Sequence, residues 1–143
     1  MERDIRQWAF HNVSEGTSLT PLLSISQAIE VLVDVSKKEI GETIYFKHSH
    51  RGLICCTAGK ERSSLSFHPR YNKSAHSLVG NREALSNDGS QKLPHIDSVG
   101  CLGYIPGPYV LPLLEVVLGL VSILETHSFP EFLRWTDPVP STV

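Results

Sequence analysis

Leu23-Ser24-Ile25-Ser26-Gln27-Ala28-Ile29-Glu30-Val31-Leu32-Val33-Asp34-Val35-Ser36 is the stretch on which the reading of this chain turns. Ile25, Ala28, Ile29, Leu32 and Ser36 recur at helical spacing and fall on one face, with Glu30 and Asp34 opposite, so the segment predicts an amphipathic helix. Two starts are available. Proline tolerates the first turn of a helix, which favours Thr20-Pro21, whereas Ser24 followed three residues later by Gln27 has the form of a capping box. Gly41 offers the stop.

Downstream the composition shifts to β-formers. Thr43 to Lys47 is rich in β-formers, Ser49-His50-Arg51-Gly52 has turn chemistry, and Leu53 to Thr57 forms a second apolar run. Ser64-Leu65-Ser66-Phe67-His68 alternates and predicts a third strand. Residues 69–98 turn polar and form a long connection. A second helix is expected over Tyr109–Leu124, with Pro112 in its first turn. Helix, strands and helix within 143 residues predict one α/β domain. Residues 1–18 read as a lead-in, 19–124 as the domain with its 69–98 loop, and 125–143 as a proline-containing tail.

The totals exclude several functions. A net charge of -2 gives no bulk attraction to nucleic acid or anionic lipid, so neither sequence-specific nucleic-acid binding nor a membrane partner is expected. The 109–124 run is shorter than a membrane span and carries Glu115. Three cysteines, two of them adjacent, do not form a disulfide framework, and Met1-Glu2-Arg3-Asp4 has no signal character. An intracellular location is expected.

Cys56-Thr57-Ala58-Gly59-Lys60-Glu61 fails as a phosphate loop, because Ile54 stands where glycine is needed and Glu61 where a hydroxyl is needed. His48 and His50 would share a face, but Cys55 and Cys56 would point to opposite faces of a strand, which argues against zinc. Ser141, Thr142 and Val143 fit the pattern that a PDZ domain takes as an added strand, which makes them candidate partner-binding residues.

The 23–36 helix also resembles the first helix of MutL-type ATPase domains, in which a stretch like L-S-L-S-T-A-V-K-E-L-V-E-N-S is typical. Ile44-Tyr45-Phe46 falls in register with the next strand of that family. Thr57-Ala58-Gly59 stands where the family has D-N-G. Val79-Gly80-Asn81-Arg82 is similar to the V-G-N-R of the meiotic branch, and Leu102-Gly103-Tyr104 with Gly107 is similar to L-G-F-R-G-E-A-L.

The resemblance implies a truncated GHKL (Bergerat) fold, a two-layer α/β sandwich with a mixed sheet and helices packed on one face. It also implies damaged chemistry. The positions for the water-activating glutamate, the magnesium asparagine and the adenine aspartate hold Val31, Val35 and Thr57. A valine neither accepts a proton nor binds a hard cation. Thr57, Gly59, Gly103 and Gly107 would be remnants of the nucleotide loops. Glu30 and Asp34 would return as cofactor-binding residues only if the helix were shifted by one residue. No ATP, magnesium or other cofactor is therefore expected, and no catalysis. The resemblance implies a partner-binding subunit or truncated pseudo-ATPase of DNA mismatch repair or meiotic recombination, nuclear rather than cytoplasmic, in a heterodimer or complex. The alternative from the residues alone is a small adaptor acting through its Ser-Thr-Val tail.

Overall fold

The central meander follows directly from the three β-forming segments. The computed structural model describes residues 5–12, 18–60, 62–69, 78–81, 93–96, 102–105, 110–126 and 134–136. Strands β3 (Gly41–His48), β4 (Gly52–Gly59) and β5 (Arg62–Pro69) pair antiparallel along nearly their full lengths. The expected strands at 43–47, 53–57 and 64–68 lie inside them. The first reversal is made by the expected turn. His48 Nδ1 accepts the backbone N–H groups of His50 at 3.0 Å and Arg51 at 3.2 Å. Gly52 takes φ 133°, a conformation that a side chain would strain. At the second reversal Lys60 sits in the left-handed region with φ 50°.

β1 (Trp8–Asn12) lies within the segment read as a lead-in, yet it pairs with β3 over five residues and carries β2 (Thr20–Pro21) on its other side. β7 (Leu93–Ile96) joins β3 in parallel beyond the end of β1 and pairs with β8 (Leu102–Ile105), which makes the sheet mixed. β5 likewise shares its outer edge between β6 (Leu78–Asn81) and β9 (Leu111–Pro112), and β10 (Arg134–Thr136) closes that side on β6. The segments 69–98 and 125–143, read as loop and tail, thus contribute β6, β7 and β10 to the sheet. Their short strands carry little periodicity of their own.

Helix α1 (Ile25–Ser36) starts at the capping box, not at Thr20-Pro21, which is strand β2. Ser24 Oγ accepts the Gln27 N–H at 3.1 Å, while Gln27 Oε1 reaches back to the Leu23 N–H at 2.7 Å. Gly41 is not the helix stop. The helix closes at Ser36, with Lys37 N–H on the Asp34 carbonyl and Lys38 N–H on Val35, and Gly41 already opens β3. Helix α2 (Leu113–Thr126) begins just past Pro112. That proline, expected in the first turn, instead pairs with Arg62 at the sheet edge, where a missing N–H is tolerated.

Both helices pack on the same face of the sheet and on each other. Ala28, Leu32 and Val35 of α1 and Val116, Leu120, Ile123 and Leu124 of α2 meet Trp8, Ile44, Phe46, Ile54, Cys56 and Leu65 in one buried cluster. The fold is thus α/β, a mixed sheet with a helical layer on one face. No helix among the described residues is long and apolar enough to cross a membrane.

Candidate functional site

Among the described residues, Val31, Val35, Thr57, Gly59 and Gly103 hold packing and strand positions. Val35 is buried in the core and Val31 packs against it, so both valines fasten α1 to the core. Thr57 is buried, and its hydroxyl shares a 2.8 Å hydrogen bond with that of Thr43 on the neighbouring strand. Gly103 lies in β8, paired with His95 of β7. Gly107, Ser141, Thr142 and Val143 lie outside the described residues.

Gly59 ends β4 where the backbone of β3 comes very close. A Cβ there would lie 2.6 Å from the Gly41 Cα, backbone against backbone, with no flexible side chain to give way. The hairpin end is further tied to the loop after α1 by Lys60 N–H on the Lys38 carbonyl at 2.9 Å and by Lys60 Nζ on Glu39 at 3.0 Å. Gly59 therefore serves strand contact in a hairpin. Gly59→Ala should destabilise by about 1–3 kcal/mol through forced separation of β3 and β4, as an urea titration will measure.

The thiols are placed as the alternation of a strand requires. Cys56 faces the helices, opposite Ile44 and Leu65, and Cys55 faces the other way, between Tyr45 and Ser66. Burial pushes the Cys55 thiol up to about 12, with a Ser66 hydrogen bond partly opposing it, and pushes Cys56 well above the usual thiol range. Neither is poised as a thiolate nucleophile at neutral pH. His68, whose Nε2 lies 3.4 Å from the Ser66 hydroxyl, is shifted below the usual imidazole value by burial. His48 is buried against Trp8, ring centroids 5.0 Å apart, and is not presented to solvent. Among the described residues no three His, Cys, Asp or Glu side chains are grouped as metal ligands.

What the helical layer presents to solvent is different in kind. Leu114 and Leu118, one turn apart on α2, are 68% and 49% exposed. Glu125 extends the same stripe, seven residues beyond Leu118 and exposed. Glu30 and Asp34 are exposed on α1, where with Ser26, Ile29, Val33 and Lys37 they line a shallow groove of about 450 Å³. Ile29 and Val33 are half-buried there, while Ile25 and Val31 of the same helix pack onto the core. The two helices carry Glu30, Asp34, Glu115 and Glu125 and no lysine or arginine. The exposed leucines were hidden in the sequence, because α2 is apolar nearly all round and no polar face marks its outward side.

A scan against protein-family models gives no match, and no curated protein matches the chain.

Proposed function

We propose that this chain is a non-catalytic association module, a truncated pseudo-ATPase-like domain of the GHKL/MutL type that serves as a nuclear partner subunit in DNA mismatch repair or meiotic recombination. The observation that carries association is the pair Leu114 and Leu118, large aliphatic side chains displayed outward on a helix whose opposite face is fully buried. Support for a non-catalytic role comes from α1, where Val31 and Val35 are packing residues, and from β4, whose two thiols are held protonated. The mismatch-repair and meiotic setting rests on the sequence resemblance alone.

Two measurements test this reading. A thermal scan with a non-hydrolysable ATP analogue and magnesium should leave the melting midpoint in place. A ligand at 100 times its Kd would add about 2.7 kcal/mol, a shift of several degrees, and such a shift would return Glu30 and Asp34 as nucleotide-site residues. A photo-crosslinking residue at position 118, introduced in cells, should give a discrete protein adduct, whereas one at the exposed strand position Lys47 should not. No adduct at 118 would remove the association function.

A further inference from the structure

We infer that the outward face of the helical layer docks a cationic amphipathic helix, with aliphatic side chains laid over Leu114 and Leu118 and lysine or arginine facing Glu30, Asp34 and Glu125. This rests on the association reading and names the chemistry of the partner.

The apolar part of the surface has the form that a helical ligand uses. Leu114, Leu118 and the half-buried Val121 recur at i, i+4 and i+7 on α2, and Ile29 and Val33 stand one turn apart on α1. The two helices lie side by side on one face of the sheet, so both sets belong to one layer. A partner helix crossing this layer meets a row of aliphatic groups from each.

The charge selects among occupants. Every ionisable side chain within the two helices is a carboxylate, at positions 30, 34, 115 and 125. Lys37, at the C-cap of α1, is the one cation among the described residues that line the groove. Lys38, the next residue, is held by Glu42 of β3 at 2.6 Å. A second copy of the chain docked through the same face would set carboxylates against carboxylates, which opposes association. An acidic or neutral helix would leave the aliphatic contacts and lose the complementary pairing. A helix with an aliphatic stripe flanked by lysine or arginine satisfies both features, and its encounter is steered by the same field.

The test uses the full chain and two synthetic helical peptides of about 18 residues, long enough for five turns. They share one leucine stripe and differ only in lysine or glutamate on its flanks. In fluorescence anisotropy at about 0.05 M salt, the lysine peptide should bind at least roughly tenfold more tightly than the glutamate peptide. That preference should shrink at about 0.5 M salt, where screening is strong. L114S/L118S should weaken the lysine peptide roughly tenfold, and E30K/D34K should abolish the preference. Both pairs are surface positions, and E30K/D34K touches no packing, so it reads the charge contribution even if the leucine variant melts low.

Equal binding of the two peptides, or no effect of E30K/D34K, overturns the cationic assignment. So does a dimer in sedimentation that L118S dissolves, which would make a second copy the occupant. If neither peptide binds while position 118 still cross-links, the cationic helix is wrong and association stands. If both fail, the association reading falls with it.

Discussion

Replacing Trp8 by alanine should lower the unfolding free energy by about 3–5 kcal/mol, a large part of the 5–15 kcal/mol typical of a domain. The indole is fully buried and packs edge-on against His48, with centroids 5.0 Å apart. Its backbone pairs with His48, and its carbonyl accepts the Leu22 N–H at 2.8 Å, so one residue joins β1, β3 and the approach to α1. Truncation would leave a cavity at the point where the N-terminal segment enters the core. Were residues 1–18 only a lead-in, the same substitution would cost no more than about 0.5 kcal/mol, as surface changes do. Chemical denaturation separates these outcomes. Trp8→Phe should cost much less, because the buried indole N–H has no hydrogen-bond partner among the described residues and the ring volume is largely kept.

The second large effect is chemical. A thiol raised from 9.0 to about 12 has its thiolate fraction at pH 8 cut roughly a thousandfold. The more basic thiolate attacks faster, which recovers a little under half of that on a logarithmic scale. Cys55 should therefore react with a soluble thiol reagent at least roughly 30-fold more slowly in the folded chain than in denaturant, as read by peptide mapping. Cys56, wholly buried in the helix-facing core, should be slower still. Fast labelling of Cys55 in the native state would mean an accessible thiolate and would reopen a nucleophilic role for β4. Stability follows the same sign. The folded-state values lie above the unfolded one, so the contribution is complete below about pH 9 and is lost as pH rises toward about 12.

Sequence patterns located the elements better than their limits. Composition located β3 and β4, as β-formers over 43–47 and an apolar run over 53–57, and alternation located β5, where period two survives in Ser64, Leu65, Ser66, Phe67 and His68. Of the two starts that the sequence offers for α1, the structure takes the capping box, where Ser24 and Gln27 act within one turn of each other, and not Thr20-Pro21. Limits set by distant partners were not legible. Gly41 reads as a helix stop, but the pairing of β3 with β4 draws it into the sheet. Pro112 reads as the first turn of a helix, but the edge of β5 takes it as a strand residue.

The candidate site divides in the same way. From the sequence alone come the α/β class, the amphipathic α1 with Glu30 and Asp34 on its outer side, and the opposite orientations of Cys55 and Cys56. All of these depend on spacing within one element, where geometry is dictated by the helical or strand period. Tertiary structure alone decided that Trp8–Asn12 is part of the sheet, that Gly59 answers to Gly41 on the next strand, and that Leu114 and Leu118 face solvent. Each depends on which segment packs against which. A helix as apolar as α2 does not encode in its own residues which side the sheet will cover, so its outward face exists only once the core has formed.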